Sequence, residues 1–225
     1  MTTQSRFDLY AFWRTSATYR VRVALNLKGV AASEIQVDLD TGGQRSADFL
    51  AINPLGAIPA LIDHESAMPE AITQSLAILE FLEESFPAPA LLPADLHGRA
   101  RVRSLAAMLA VDTHPLITPR VKKYLTTAGK FDDAAWRAWQ VNWLTTGLQA
   151  FEARIAKEAS TGKFCHRDSI TFADICMASV IVVTRVFKID VAGIPTIDRI
   201  MAACEAHEAF ARAAPARQIG APAGG

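Results

Sequence analysis

The first eighty-odd residues alternate between apolar and polar positions in a pattern that predicts short strands separated by helices. FDLYAF (7–12) has the character of a strand, and EIQVDL (34–39) alternates with the period of two that a half-buried strand shows. Between them, residues 18–28 place apolar side chains three and four positions apart, and Gly29 follows as a helix stop. This stretch predicts a strand, a helix and a second strand.

A further group of elements follows in the same region. Pro59 favours an extended backbone at the residue before it, and PALI (59–62) continues as an apolar strand. MPEA (68–71) predicts a brief strand, and ITQSLAILEFLEESF (72–86) predicts an amphipathic helix. The order βαβ followed by ββα is that of a thioredoxin-like domain, which we place at residues 1–86.

Prolines mark the end of that domain, and the pattern beyond them is helical. Three prolines fall within FPAPALLPAD (86–95), so we predict a linker over residues 87–95. The predicted helical segments are 98–117, which His114-Pro115 and Thr118-Pro119 should interrupt, 132–160, 171–187 and 195–213.

The segment 171–187 is apolar on all sides, which predicts a central buried helix. It opens with Thr171-x-x-Asp174, a capping box with aspartate in the usual glutamate position. The closing stretch, PARQIGAPAGG, predicts a disordered tail from about residue 214. The fold class we expect is an α/β N-terminal domain followed by an all-α domain over residues 96–225.

Composition narrows the possible functions. The chain has 225 residues and a formal net charge of zero, so no overall field favours nucleic acid or an anionic membrane. MTTQSRFDLY lacks an apolar core, so we expect no secretory signal, and no apolar run approaches the roughly 20 residues that a membrane-spanning helix needs. The three cysteines and five histidines lack the spacing of metal ligands. We expect a cytoplasmic protein without a metal.

Candidate chemistry lies in FWRTSATYRVRVALNLKG (12–29). Thr15, Ser16 and Thr18 crowd one turn between the first strand and the first helix, with arginines on both sides. Hydroxyls at such a junction can cap the helix, or they can donate hydrogen bonds to an anion at its positive end. No cysteine or histidine is near, so a nucleophile at this site would come from another molecule.

Three motifs together make this chain resemble the cytosolic glutathione transferases, and the zeta class among them. They are FWRTSATYRVRVALNLKG, then NPLGAIPALI with ITQSLAILEFLEE, and ITFADICM. The first is similar to the zeta-class signature, and the other two mark the wider superfamily. The zeta class includes the maleylacetoacetate and maleylpyruvate isomerases. The resemblance covers residues 7–215 and implies the cytosolic glutathione transferase fold, with glutathione as cofactor.

The resemblance also implies glutathione-binding residues. Thr15 stands at the position of the family's activating serine, where it would donate to the glutathione sulfur with help from Ser16 and the helix amides. A free cysteine thiol has a pKa of about 8.5, so these donors would favour the thiolate. The other residues that the resemblance assigns to glutathione are Ile58 and a cis Pro59, Gln74 and Ser75 at the γ-glutamyl carboxylate, His114 and Gln44.

For an acidic, unsaturated substrate, the resemblance implies arginines at Arg14 and Arg120. A third family arginine is replaced by Val186, and Arg185 lies one position earlier, about 100° around the helix. Either Arg185 reaches the substrate from there, or this site has lost one carboxylate ligand. From the residues alone, Arg120 is equally compatible with a solvated helix face and His114 with a surface position.

The resemblance implies a glutathione-dependent cis–trans isomerase. We favour maleylacetoacetate isomerase in tyrosine breakdown, working by thiolate addition, bond rotation and elimination, with maleylpyruvate isomerase as the alternative. A transferase or dehalogenase acting on α-halo acids belongs to a second class, and a non-catalytic binding protein on the same fold to a third. A small dicarboxylate is the expected partner, and a homodimer is the expected assembly.

Overall fold

The computed structural model of the protein describes residues 5–68 and 70–222. The chain forms two compact units. One contains the residues up to Ala90 together with those from Glu208 on, and the other contains Leu91–His207. In the described part of the chain, no helix combines the length and the apolar character needed to cross a bilayer.

The N-terminal unit confirms the βαβ-ββα order. Its sheet has the strand order β2-β1-β3-β4, in which β1 pairs parallel with β2 and antiparallel with β3, and β3 pairs antiparallel with β4. The last strand follows MPEA rather than coinciding with it; Pro69 of that stretch lies outside the described residues. The elements are β1 (Phe7–Ala11), α1 (Ser16–Lys28), β2 (Ala32–Gln36), α2 (Ala47–Ile52), β3 (Ala60–Asp63), β4 (Ile72–Thr73) and α3 (Ser75–Ser85).

Strand β1 shows how the alternating pattern becomes packing. Phe7, Leu9 and Ala11 are completely buried, while the residues between them are half-buried. Because successive side chains of a strand point to opposite faces, this alternation places one face in the core. Ile78, Leu79 and Leu82 of α3 are buried in the same unit. The inward side chains of β1 and the apolar side chains of α3 therefore contribute to the core of this unit.

The sequence predicts that the chain ends in the all-α domain with a disordered tail from about residue 214, and the structure differs on both points. Helix α9 (Glu208–Ala213) packs in the N-terminal unit, where the side-chain amide of Asn26 donates to the Ala209 carbonyl at 2.9 Å. A 3-10 turn at Pro215–Arg217 follows, and the Gln218 amide donates to the Arg212 carbonyl at 2.7 Å. The apolar face of α9 creates this packing, but periodicity alone does not say which partner covers such a face. Residues 223–225 of the predicted tail lie outside the described residues.

The first long helix of the helical unit is interrupted, as the two proline pairs predict. The interruption begins earlier than the prolines, at Met108. The α-helix ends before Pro115, and a π-helix at Met108–Thr113 and a 3-10 helix at His114–Ile117 follow. Proline has no N–H to donate and its ring meets the carbonyl four residues back, so the preceding turn widens. The regular helices are α4 (Leu96–Ala107), α5 (Pro119–Thr127), α6 (Asp133–Ile155), α7 (Phe172–Val186) and α8 (Pro195–Glu205).

The π-helix approaches α6 closely enough to require a glycine there. A Cβ atom added to Gly147 would overlap Thr113 Oγ1 and lie 2.5 Å from Thr113 Cγ2. Thr113 is buried, so its short side chain has little room to move. We expect Gly147→Ala to lower the free energy of unfolding by about 1–3 kcal/mol, the usual cost of overpacking, in denaturant titrations.

The control for that experiment removes the atoms that clash. Thr113→Ala should cost some stability alone, but it should reduce the further cost of Gly147→Ala, because the two side chains meet directly. Additive losses in the double variant would contradict the close approach of the π-helix to α6.

Candidate active site

The loop between β1 and α1 presents the clustered hydroxyls. The Oγ1 atoms of Thr15 and Thr18 are 2.7 Å apart, and Thr18 is completely buried beneath Thr15. Thr15 occupies the N-cap position of α1, yet within the described residues its side chain makes no capping hydrogen bond to the helix. The Thr15 side chain therefore does not cap the helix. Its hydroxyl is oriented by a second hydroxyl instead.

Ser16 belongs to a different contact network in the same turn. The side chain is buried, and its Oγ accepts a hydrogen bond from Arg20 Nη2 at 3.3 Å. Arg20 Nη1 donates to Ser75 Oγ at 2.8 Å. One buried guanidinium therefore joins the start of α1 to the start of α3.

The start of α3 carries an unusual backbone. Gln74 is the N-cap residue and has φ 68° and ψ 114°, a conformation that non-glycine residues rarely adopt. Such strain persists only where surrounding structure enforces it, and it is concentrated at functional sites. Ser75 follows as the first helical residue and is buried. The N-terminus of an eleven-residue helix, with exposed amides and a positive dipole end, suits a carboxylate.

Ile58 and Pro59 lie immediately before β3, and the bond between them is cis, as the resemblance implies. Ile58 packs against a buried cluster formed by Val37, Phe49 and Ala60. This packing holds the Ile58 backbone at the start of β3, a central strand of the sheet.

Gln44 lies beside the loop that leads to Pro59. A Cβ atom on Gly56 would be 2.7 Å from the Gln44 carbonyl oxygen, and Gly56 has φ 63°, so only glycine fits this approach. Within the described residues the buried side-chain oxygen Gln44 Oε1 has no hydrogen-bond partner. A buried acceptor without a partner costs free energy, and an N–H donor of a peptide ligand would recover it. The start of α3 and the Gln44 acceptor therefore offer partners for a carboxylate and for an N–H group of a peptide ligand.

The three predicted substrate arginines have different surroundings. Arg14 donates to Asp40 Oδ2 at 2.8 Å, and its guanidinium lies over the Trp13 ring at 5.3 Å from the centroid. Arg120 is exposed as the second residue of α5, three residues after the end of the 3-10 helix at His114–Ile117. Arg185 forms an ion pair with Glu205, and these side chains are 54% and 47% exposed. The structure thus places Arg185 in a surface pair within the helical unit.

The protein's own thiols are unsuited to supply the nucleophile. Cys165, Cys176 and Cys204 are all buried free cysteines of the helical unit. Desolvation raises the pKa of the Cys165 thiol well above its ordinary value, with the nearby Asp174 charge adding to the shift. Among the described residues, no group of three histidine, cysteine or carboxylate side chains could hold a metal ion.

The sequence places Thr18 in the hydroxyl turn with arginines on both sides, but sequence reasoning assigned no role to Thr18 or to Arg20. Thr18 lies three positions after Thr15, and Arg20 lies four positions after Ser16. Residues at these spacings lie on the same face of a helix, so the pairing within α1 could have been inferred. The contact from Arg20 to Ser75 joins residues 55 positions apart and leaves no such signal.

Comparisons with known proteins agree with this geometry. Residues 5–84 match the family "Glutathione S-transferase, N-terminal domain". Maleylpyruvate isomerase from Ralstonia sp is 40% identical over 93% of this chain and 97% of its own. A crystal structure of maleylacetoacetate isomerase from Methylobacterium extorquens AM1 with bound malonate and glutathione is 48% identical, with a TM-score of 0.92 over 96% of this chain and all of that one.

A second solved structure places the chain in a class. The holo structure of maleyl pyruvate isomerase, described as a bacterial glutathione S-transferase in the zeta class, is 40% identical with a TM-score of 0.90, over 96% of this chain and all of that one. Identities of this size over nearly the full length of both chains establish common descent. The chain therefore belongs to the zeta-class glutathione transferases, the family of the maleylacetoacetate and maleylpyruvate isomerases.

Proposed function

We propose that this protein is a glutathione-dependent cis–trans isomerase that converts maleylacetoacetate to fumarylacetoacetate. The observation that carries the proposal is the hydroxyl pair at the end of β1. Thr15 occupies the helix N-cap, but its hydroxyl is paired with that of Thr18 rather than used on the helix amides. A relative that is 48% identical was crystallised with glutathione and the dicarboxylate malonate.

Thr15 is the group we assign to the glutathione sulfur. A hydroxyl both donates and accepts, so Thr18 can donate to Thr15 while Thr15 donates to a thiolate. A chain of hydroxyls polarised in this way is a stronger donor than one hydroxyl alone. Ser16 and the amides at the start of α1 add to the favourable field. At neutral pH this environment would lower the thiol pKa and increase the thiolate fraction.

The remaining residues would hold the peptide. Gln74 and Ser75, at the start of α3, would bind the γ-glutamyl carboxylate. The Ile58 backbone before Pro59 would bind the cysteinyl amide, and Gln44 Oε1 would accept an N–H. His114 is assigned to glutathione from the resemblance alone.

When bound, glutathione supplies a thiolate that adds to the cis double bond, permits rotation and leaves again, so that it is regenerated. From the resemblance alone we assign Arg14 and Arg120 to the acidic groups of the substrate, where a guanidinium would stabilise the negative charge that develops on the enolate oxygen. Arg14 is also bonded to Asp40, which holds its guanidinium in one orientation beside Trp13. Orientation of a charged donor before reaction reduces the reorganisation needed in the transition state.

Maleylpyruvate isomerase is the second candidate. Arg185 is paired with Glu205 at the surface, and Val186 stands at the family's arginine position. Both compounds are cis-enone diacids, so this difference does not separate them, and the alternative is supported by the 40% identity to a maleylpyruvate isomerase. From the family resemblance, we propose that the protein is a cytoplasmic homodimer that acts in tyrosine breakdown. Sedimentation equilibrium tests the assembly.

Isomerisation and conjugation are distinguished by following thiol and substrate together. With glutathione far below the substrate concentration, we expect many turnovers of maleylacetoacetate while the free thiol stays constant, because the thiolate is regenerated. The measurements are cis-enone absorbance and thiol titration. Thiol loss equal to product would instead indicate a transferase. Failure of glutathione to raise the melting temperature would indicate a protein that does not bind it.

A further inference from the structure

Arg20 connects the two places where the proposed function puts negative charge. The residue is only 2% exposed, and its guanidinium donates to Ser75 Oγ at 2.8 Å and to Ser16 Oγ at 3.3 Å. Ser16 lies next to Thr15, the residue assigned to the thiolate. Ser75 opens α3, the helix assigned to the γ-glutamyl carboxylate. The same side chain therefore contacts a hydroxyl at each end of the proposed glutathione site.

The chemistry of a guanidinium determines what these contacts do to the serines. Arginine carries five N–H donors and no acceptor, and it remains charged at any ordinary pH. Ser16 and Ser75 therefore accept from Arg20 in these two contacts, because a guanidinium can only donate. In a buried setting the charge also acts on nearby anions with less screening than in water.

We propose that Arg20 is a positioning residue that orients the hydroxyls of Ser16 and Ser75 as donors to glutathione, Ser16 toward the thiolate and Ser75 toward the γ-glutamyl carboxylate. The inference rests on the proposed function, since it assumes that glutathione binds in this unit. The affinity for glutathione and the ionisation of its thiol would then both depend on Arg20, which contacts neither the sulfur nor the substrate double bond. Loss of Arg20 should weaken both together.

Lys28 provides a matched control in the same helix. It is also buried, and it donates to Glu83 at 2.6 Å and to the Pro89 carbonyl at 2.7 Å. It lies at the opposite end of α1 from Thr15 and Ser16. Removing it should reduce stability as any buried ion-pair loss does, without changing the hydroxyls at the start of the helix.

The experiment compares Arg20→Met, Arg20→Lys and Lys28→Met with the unmodified protein. Denaturant titration reports stability, calorimetry reports the glutathione Kd, and the pH dependence of thiolate ultraviolet absorbance reports the pKa of the bound thiol. For Arg20→Met we expect about fivefold weaker binding and a thiol pKa higher by about half a unit or more. Arg20→Lys keeps the charge but loses the planar guanidinium whose two nitrogens reach Ser75 and Ser16. We therefore expect changes in the same direction and of smaller size.

Lys28→Met should lower stability while the Kd and the thiol pKa stay as in the unmodified protein. A folded Arg20→Met protein with unchanged Kd and thiol pKa would overturn the role of Arg20 and leave the proposed function intact. If Arg20→Met does not fold, Arg20→Lys decides in the same way. No glutathione binding by the unmodified protein would overturn the proposed function itself.

Discussion

Replacing Thr15 with alanine should lower glutathione-dependent isomerisation by at least about tenfold, the effect of roughly 1.4 kcal/mol in the barrier. The Thr15 hydroxyl lies 2.7 Å from that of Thr18, and a hydroxyl can accept as well as donate, so Thr15 can accept from Thr18 while it donates to a sulfur. Alanine removes that donor and leaves Thr18 without the contact. The fraction of thiolate at neutral pH should fall, and kcat/KM should fall with it.

Two further variants separate the hydroxyl from the shape of the side chain. Thr15→Ser keeps the donor and loses only a methyl group, so activity should stay close to that of the unmodified protein. Thr18→Val keeps the buried volume and removes the second hydroxyl, so it should reduce the rate by less than Thr15→Ala does. The measurements are kcat/KM at saturating glutathione and the pH profile of thiolate absorbance. Full activity in Thr15→Ala would assign the role to Ser16 or to the helix amides.

Replacing Asp174 with alanine should have the largest effect on stability, about 3 kcal/mol or more in the free energy of unfolding. Its carboxylate is completely buried at the start of α7. It accepts from Thr171 N and Thr171 Oγ1, both at 2.8 Å, and from Cys165 N at 2.7 Å. Alanine would leave these donors buried without an acceptor, which costs far more than the bonds contribute when formed.

Burial and hydrogen bonding shift the pKa of Asp174 in opposite directions, so Asp174→Asn is the informative control. Desolvation raises the pKa of this carboxyl above its ordinary value, and the hydrogen bonds from Cys165 and Thr171 oppose that rise. Asp174→Asn keeps one carbonyl acceptor and the shape, but turns an N–H₂ group toward donors, so we expect an intermediate loss. Chemical denaturation and glutathione affinity should be measured together. A stability loss below about 1 kcal/mol for alanine would contradict the role of these three bonds.

Local features of the site were predictable from the sequence. The capping box at Thr171 and Asp174 is confirmed, because its signal is a spacing of three residues at the start of a helix. The hydroxyl turn between β1 and α1 was likewise visible, because a strand pattern ends where a helical pattern begins. What the sequence left open was whether Thr15 caps the helix. The contact with Thr18 answers this, and it depends on the rotamer that the folded turn allows.

Pairings between distant residues were not predictable in this way. Arg185 belongs to a helix that the sequence predicts, yet its partner Glu205 lies on the next helix. The apolar face of α9 was evident, but its place in the N-terminal unit was not. Each such contact depends on how two separately formed surfaces meet, and hydrophobic periodicity defines a face without naming its partner.

The order of elements, the hydroxyls at the end of β1 and the buried character of α7 follow from spacing along the backbone, so they can be inferred from the amino-acid order. The contacts of Arg20 with Ser16 and Ser75, and of Gln44 with the Gly56 loop, arise only in the folded chain. The reason is that a hydrogen bond between distant segments is specified by packing in three dimensions. A one-dimensional pattern records which residues can be buried, and the fold decides which of them meet.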